Sequence, residues 1–390
     1  MKINEVIIQH KKVITEAKAR IDHPEDIIFD DNGTQGAMRA LDAMVHASQN
    51  HGETTSIKWD GSPAVIFGWM DKNSFIVTDK AGMGAKKYDG KPTSAADVQS
   101  MIFNRRPDEE GRQYYANKFA SIYELLKKAT PKSLVGQMIQ GDLLYMSADD
   151  IVHTDEDVTF GPVKVRYTID KDNPVGARIA KSQCGIAVHS VFDSVESASA
   201  ADGEPSPVTP KSLGLKDSPK LVIFGPETQI PTDTEISLPM SEVESLRNLI
   251  KSGPAQLIDD MLDPFTMGSL KIANLPELFK KFVNFKARGG EDIGSAPQLA
   301  NEFIKWVEGP AGLTDNKKKN VLSHLEQYKA PFEMSWRIVS ALSNIKHTIK
   351  DQLDTHVTGI RTNKGHEGFV SATPHGKIKF VNRPNFMKKD

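Results

Sequence analysis

Two stretches near the N-terminus have apolar residues at helical spacing. Residues 1–20 form the first stretch, and His23-Pro24 ends it. Residues 35–49 form the second, with apolar side chains three and four positions apart. This spacing predicts two amphipathic helices, and we expect both to pack against a sheet formed by later residues.

Short apolar or alternating runs follow, bounded by glycine, proline or asparagine, and they predict β-strands. The runs lie at residues 64–67, 74–79, 135–145, 163–169, 185–193 and 221–224. Residues 94–128 instead have helical spacing, with Ser94 as the expected N-cap and Asp97 in the first turn. The first part of the chain is therefore expected to contain both strands and helices.

The composition changes after the strand that ends near residue 193. Residues 194–219 are rich in Ser, Ala, Asp and Pro, which is typical of a mobile loop. Beyond about residue 240 the spacing is helical, and helices are expected at about 275–287, 296–308, 315–328 and 331–354. The sequence therefore predicts a first part of the main domain at 1–235, an inserted helical module at 236–355 and closing strands at 356–390.

Composition is that of an ordinary globular protein, because 38% of the 390 residues are hydrophobic and 26% are charged. The formal net charge is −2, so any surface that binds nucleic acid must be local. Cys184 is the single cysteine and excludes an intramolecular disulfide framework. With no apolar signal core and no apolar run approaching roughly 18 residues, a cytoplasmic protein without a membrane partner is expected.

The segment Lys58-Trp59-Asp60-Gly61 lies between two apolar runs, at a strand end or a tight turn. A neutral lysine amine is a nucleophile that can attack a phosphorus atom and form a covalent intermediate. Gly61 lets the backbone turn close to a bound group. A lysine in this position can equally be a solvated side chain beside a strand, so its interpretation depends on the other segments.

Four further residues of interest lie on or after predicted strands. They are Lys80, Asp142 in the segment GDLL, and His189 and Phe192 in the strand 185–193. Three of them have a purely structural alternative. Asp142 suits a strand–turn junction, and His189 and Phe192 suit the core or the face of a strand.

Two charged segments follow each other near the C-terminus. Glu367 lies in EGFV, and Lys377 and Lys379 lie in KIK, with a Thr-Pro-His-Gly turn between the segments that predicts a hairpin. Alternation puts both lysines on one strand face, and two ammonium groups on a half-buried face require an anion such as a nucleotide triphosphate. Glu367 supplies the carboxylate oxygen that Mg²⁺ prefers. Residues 361–390 contain seven basic and two acidic residues, so this region is locally basic.

In this order, KWDG, GDLL, the strand ending in Phe-Asp, EGFV and KIK resemble motifs I, III, IIIa, IV and V of the covalent nucleotidyltransferases. These are the ATP-dependent DNA and RNA ligases and the mRNA capping enzymes. The resemblance implies an α+β fold of the nucleotidyltransferase type, with ATP-grasp-like antiparallel sheets, flanking helices and here an inserted α-helical module. Lys80 stands where the family commonly has an arginine, and Asp142 stands where it has a glutamate.

The resemblance also implies roles for these residues. Lys58 would attack the α-phosphate of ATP and carry AMP, while Lys377 and Lys379 would neutralise phosphate charge. The nucleotide would be bound by Asp60, Gly61, Lys80, Asp142, His189 and Phe192, and the metal by Glu367 and Asp60. The implied cofactors are ATP and Mg²⁺ or Mn²⁺, and the implied partner is nucleic acid with RNA or DNA ends.

Within the superfamily, an RNA ligase is slightly preferred, because only eleven residues follow Lys379 and leave no room for the OB-fold of DNA ligases and capping enzymes. A nick-sealing DNA ligase is the first alternative. Residues 23–106 also resemble tailed-phage proteins, which would place the protein in the host cytoplasm. That resemblance leaves open a catalytically inactive, ligase-like protein that binds nucleic acid or builds the phage particle. An enzyme that caps RNA or modifies protein is a further alternative, and the oligomeric state is not indicated.

Overall fold

The computed structural model describes residues 23–30, 33–59, 61–84, 91–162, 165–200, 206–208, 210–225, 235–263, 268, 271, 274–294, 296–356, 359–363 and 368–387. Asp60, Glu367 and the first predicted helix at 1–20 lie outside these ranges. The described residues form two compact units. Unit 1 contains those within 59–225 and 359–363, and unit 2 contains those within 23–58, 235–356 and 368–387.

The strands belong to three sheets. They are β1 Thr55–Ile57, β2 Ala64–Trp69, β3 Phe75–Asp79, β4 Met138–Tyr145, β5 Val152–His153, β6 Asp157–Phe160, β7 Tyr167–Asp170, β8 Cys184–Phe192, β9 Ser206–Pro207, β10 Leu221–Phe224, β11 Ile360–Thr362, β12 Gly368–Thr373 and β13 Gly376–Val381.

The described residues also form many helices, so the fold is α+β as predicted. The α-helices are α1 Ile27–Asp30, α2 Thr34–Gln49, α3 His51–Thr54, α4 Lys80–Met83, α5 Ala95–Asn104, α6 Arg112–Ser121, α7 Tyr123–Ala129, α8 Pro174–Ile179, α9 Val195–Ser199, α10 Met240–Ile250, α11 Gly253–Leu262, α12 Leu275–Arg288, α13 Ala296–Glu308, α14 Asp315–Gln327, α15 Lys329–His356 and α16 Arg383–Met387. Single 3₁₀ turns lie at Pro24–Asp26, Lys132–Leu134 and Ala148–Asp150.

The larger sheet of unit 1 has the strand order β10-β8-β4-β2-β3, and β9 pairs with β8. Strand β10 is parallel to β8, and the other neighbouring strands are antiparallel. Val65 and Phe67 of β2 pack with the apolar side chains of α5, α6 and α7, whereas Ile66 packs with Ile76 and Phe192. This alternation shows that both faces of the sheet are buried.

The second sheet of unit 1 has the antiparallel order β11-β7-β6-β5. Trp59 lies in an aromatic cluster beside it, with ring centroids 4.8 Å from Tyr167 and 4.7 Å from Phe224. The sequence indicated only β7 of this sheet. The other strands are two to four residues long, and β11 pairs Ile360 with Ile169, a partner that local periodicity cannot identify.

Unit 2 contains the sheet β1-β12-β13 and the helices α2 and α10 to α15. Strands β12 and β13 form the predicted hairpin, and β1 pairs antiparallel with β12. Phe369, Ile378 and Phe380 are buried on one face of this sheet. Helix α2 contacts β12 and β13, as expected for a helix that packs on a sheet.

The helices α12 to α15 begin and end within two residues of the predicted positions. Their apolar stripes meet in an aromatic core around Trp336, whose ring centroid lies 5.4 Å from that of Phe279, 5.5 Å from Phe282 and 5.7 Å from Phe303. The spacing of three and four residues identified this buried stripe because α15 is long enough for the period to be clear. Among the described residues, no helix has the length and apolar character needed to cross a membrane.

The expected loop 194–219 instead contains helix α9 and strand β9. Ser194 caps α9 by accepting a hydrogen bond from the Ser197 N–H at 3.1 Å, and Val195 is buried beside Phe192. The Ser-rich composition gave no indication of this one-turn helix, which is stabilised by one cap and one buried side chain.

The division of the chain into domains at 1–235, 236–355 and 356–390 stays a prediction. In the folded chain, the described residues of 23–58 belong to the same unit as the long helices.

Replacing Trp336 by Ala should destabilise the protein by about 3–5 kcal/mol, because the indole is fully buried and its removal leaves a cavity. The measurement is the free energy of unfolding from urea denaturation. Phe285→Ala is the matched control: this ring is 48% exposed, and its loss should cost no more than about 1 kcal/mol. Equal losses in the two variants would contradict the aromatic core described above.

Candidate functional site

The hairpin of unit 2 presents Lys377 and Lys379 on one face. Lys379 lies opposite Val370, and Lys377 lies opposite Ala372. Ile378, between the two lysines, is fully buried on the other face, whereas both lysines are half-buried. Burial lowers the pKa of Lys377. The predicted alternation along this strand is therefore confirmed.

Lys58 extends the pairing of β1 with β12 by one residue. Ser56 lies opposite Val370, and the Lys58 N–H donates a hydrogen bond to the Gly368 carbonyl oxygen at 2.9 Å. Because side chains alternate between faces, Lys58 shares the face of Ser56 and Val370, which is also the face of Lys377 and Lys379. We call this surface, defined by Lys58, Lys377 and Lys379, the lysine face.

Gly368 is required by the backbone at the point where Lys58 meets β12. Its φ is +146°, and a Cβ atom at this position would lie 2.0 Å from the Phe380 carbonyl oxygen. No side chain can occupy that space without moving β13. The glycine of the segment EGFV therefore permits the close approach of β12 and β13 directly beside Lys58.

A buried network of four charged residues lies next to β13. The Lys346 Nζ donates to Glu25 Oε1 at 2.6 Å, and Arg383 Nε lies 3.4 Å from the same oxygen. Arg383 Nη2 lies 2.5 Å from Asp26 Oδ2. Burial alone would raise the pKa of Glu25, but the charges of Lys346 and Arg383 outweigh it and lower this pKa to about 2. Burial raises the pKa of Asp26.

His23 precedes this buried network, and its side chain is 15% exposed. Its Nδ1 atom is buried and lies 3.9 Å from Glu25 Oε1, too far for a hydrogen bond. Burial lowers the pKa of His23 well below its usual value. Nearby positive charges lower it further, and they are those of Arg383, Lys379, Lys346 and Lys58. The imidazole is therefore neutral at pH 7 and lies in a region that favours anions.

Local sequence patterns did not predict a functional role for His23, Glu25 or Lys346. One signal was present: Lys346 lies four residues after Leu342 and three before Ile349, within the apolar stripe of α15. A lysine at a buried helical position requires an acidic partner. The identity of that partner could not be read from the pattern, because Glu25 is 321 residues away.

In unit 1, Asp142 of β4 lies beside His189 of β8, with 3.4 Å between Oδ2 and Nε2. The pairing of β4 with β8 is irregular at this point: Gln140 lies opposite Ser190, and Gly141 lies opposite Val188. His189 is thus the extra residue of a β-bulge, a feature that changes the direction of a side chain. Its imidazole contacts the carboxylate of Asp142, while its predicted role in binding the nucleotide stays a prediction.

Gly61 lies against the strand that carries Asp142. A Cβ atom on Gly61 would be 2.7 Å from the Leu143 carbonyl oxygen and 2.8 Å from the Asp142 Cβ. The adjacent Ser62 N–H donates to the Leu143 carbonyl oxygen at 2.8 Å. The glycine of KWDG and the acid of GDLL are therefore neighbours within unit 1.

Lys80 is exposed at the first position of α4. The preceding Asp79 accepts a hydrogen bond from the Gly82 N–H at 2.6 Å and pairs with Arg105 Nη2 at 2.8 Å. The pairing of Asp79 with Arg105 could not be predicted from local patterns, because the two residues are 26 positions apart. Phe192 is 5% exposed within an apolar cluster, and its predicted role at the nucleotide stays a prediction.

The predicted site residues are distributed over both units. Lys58, Lys377 and Lys379 belong to unit 2, whereas unit 1 contains Gly61, Lys80, Asp142, His189 and Phe192. Asp60 and Glu367, to which the resemblance assigns the metal, lie outside the described ranges. Within those ranges, no three His, Cys, Asp or Glu side chains converge as a metal-binding group. Binding of Mg²⁺ or Mn²⁺ therefore stays a prediction from the motifs.

Replacing Gly61 by Ala should destabilise the protein by about 1–3 kcal/mol, because the new methyl group collides with the backbone of β4. The control is Gly84→Ala, where no atom of the described residues, apart from the neighbours in sequence, lies within 4 Å of the added Cβ. That change should be neutral or stabilise by up to about 1 kcal/mol. Thermal unfolding of both variants makes the comparison, and an unaffected Gly61→Ala variant would contradict the close approach.

Replacing Glu25 by Gln should cost about 3–5 kcal/mol at neutral pH, because it leaves the buried Lys346 ammonium without its partner. The pKa of Glu25 falls from 4.5 to about 2 on folding, so its contribution is complete above about pH 4.5 and is lost as the pH falls towards 2. Urea denaturation should show the wild-type advantage shrinking in that interval. The half-exposed control Glu244→Gln should cost no more than about 1 kcal/mol, and a pH-independent difference for Glu25→Gln would contradict the network.

The family DUF6267, described as a family of unknown function, matches residues 19–390. No curated protein and no solved structure matches the chain. Because the match includes nearly the whole sequence, the chain belongs to the DUF6267 family.

Proposed function

We propose that this protein is an ATP-dependent polynucleotide ligase that forms a lysyl-AMP intermediate on Lys58, with RNA ends slightly preferred over nicked DNA. The observation that carries the proposal is the lysine face. Lys58 lies about 320 residues before Lys377 and Lys379 in the sequence. The register of β1, β12 and β13 nevertheless puts all three lysines on one face of one sheet. Their order in the chain is also that of motifs I and V.

In the first step, the neutral Lys58 amine attacks the α-phosphorus of ATP. The Nζ–P bond forms as the bond from phosphorus to the β-phosphate oxygen breaks, and pyrophosphate leaves. The attacking nitrogen loses a proton to solvent. Lys377 and Lys379 offset the negative charge that develops on the departing pyrophosphate, since cations held on a strand do not have to reorganise during the reaction.

Mg²⁺, for which Glu367 and Asp60 are the proposed ligands, would neutralise further phosphate charge. Asp142, with His189 beside it, is the residue proposed to accept hydrogen bonds from the ribose hydroxyls. In the later steps, an oxygen of a 5′-phosphate end attacks the AMP phosphorus and releases Lys58. A 3′-hydroxyl then attacks the activated phosphate, seals the strand and releases AMP.

The proposal is tested by incubating the protein with Mg²⁺ and ATP labelled at the α-phosphate, followed by a denaturing gel. A labelled band is expected for the wild type and not for Lys58→Ala. Lys377→Met and Lys379→Met should each lower the labelling rate by about tenfold or more, because each removes a cation from the transition state. Lys128→Met, a change on the surface of helix α7 of unit 1, is the matched control and should label at the wild-type rate.

Any AMP already bound must first be removed with pyrophosphate. Absence of a band from protein treated in this way would contradict the ligase proposal. It would instead favour a ligase-like protein without turnover, for which Lys80 in place of Arg and Asp142 in place of Glu are the sequence support. With a positive band, labelled RNA and nicked DNA distinguish the two ligase types, and labelled GTP tests for capping activity.

A further inference from the structure

His23 lies beside the lysine face without any role in the proposed mechanism. The 3₁₀ turn Pro24–Asp26 that follows it contacts strand β13, which carries Lys379. The charges of Lys58 and Lys379 both act on the imidazole. The contact of the turn with β13 therefore brings His23, the residue before the turn, close to the strand that carries Lys379.

The position of His23 is fixed by its neighbours in sequence. Pro24 occupies the first position of the turn, where its restricted φ suits helical geometry. Glu25 is fully buried and bonded to Lys346, and Asp26 is paired with Arg383. A histidine attached to such an anchored turn has few alternative positions for its side chain, so the ring is preorganised.

The imidazole has one capacity that a lysine lacks. Being neutral, it carries one N–H donor and adds no positive charge to a surface that is already cationic. Among the described atoms, its buried Nδ1 has no hydrogen-bond partner, and 15% of the side chain is exposed. A phosphate oxygen is a strong acceptor that the surrounding cations attract, and a neutral N–H is suited to bind it.

We propose that His23 donates a hydrogen bond to a phosphate oxygen of the polyphosphate chain that occupies the lysine face. The proposal deepens the proposed function and rests on it, because it assigns the ligand of this face as a polyphosphate. His23 then acts as a binding residue. It orients the chain of phosphates, while Lys58 performs the attack and Lys377 and Lys379 balance charge.

The test is isothermal titration calorimetry of inorganic tripolyphosphate into the full-length protein, without nucleotide or metal. His23→Leu removes the donor at similar size and should weaken binding by about tenfold or more, as expected for a hydrogen bond to a charged group. His23→Gln keeps an N–H donor and should bind within about threefold of the wild type. His153→Leu, at an exposed histidine of unit 1, is the matched control and should bind as the wild type does.

A second measurement needs no substitution that affects folding. In wild-type protein with labelled histidines, the imidazole NMR signals of His23 should shift on addition of tripolyphosphate, and those of His153 should not. His23→Gln serves to assign the signal. Unchanged His23 signals, or equal tripolyphosphate affinity in His23→Leu and wild type, would overturn the proposal.

These outcomes are separable from those of the labelling experiment. If the protein forms lysyl-AMP but His23→Leu binds tripolyphosphate normally, the ligase proposal stands and His23 has no part in binding. If tripolyphosphate binds through His23 but no lysyl-AMP forms, the face is a polyphosphate site without nucleotidyl transfer. No binding of tripolyphosphate to the wild type would overturn the assignment of the ligand.

Discussion

The pairing of β1 with β12 is the constraint on which the candidate site depends. It pairs residues that are more than 300 positions apart in the sequence. A side-chain hydrogen bond also links the two strands, because the Thr55 hydroxyl donates to the Ser371 hydroxyl at 3.0 Å. Because antiparallel pairing fixes which residues face each other, a shift of one residue would turn Lys58 to the opposite face from Lys377 and Lys379. Gly368 opposes such a shift, since only glycine fits beside the Phe380 carbonyl oxygen.

The buried network supports this sheet from one end. Glu25, Lys346 and Arg383 come from three separate parts of the chain, and each is less than 5% exposed. Ion pairs of this kind add little net stability compared with apolar packing, but breaking one partner is costly, so they select a single arrangement. Here that arrangement anchors the turn that follows His23, and this turn contacts β13.

Local patterns predicted much of the fold. The helices α2 and α12 to α15, the hairpin of β12 and β13 and the strands β2, β3, β4 and β8 follow from periodicity, and β10 follows from its continuous apolar run. The short strands β5, β6 and β11 and the ordered parts of 194–219 do not, since they depend on distant partners or on one cap. For the site, alternation correctly put Lys377 and Lys379 together. The expectation that Lys58 lies near these lysines rested only on the order of the motifs along the chain. The positions of His23 and Glu25 could not be predicted, because their contacts are with residues distant in sequence.

Mass-spectrometric mapping of peptides from protein incubated with ATP and Mg²⁺ tests the central claim most directly. Lys58, on the lysine face, is predicted to carry a single AMP, and the peptides that contain Lys377, Lys379 and Lys80 are predicted to remain unmodified. AMP on any of these other lysines, or on no residue of protein freed of bound nucleotide, would contradict the account.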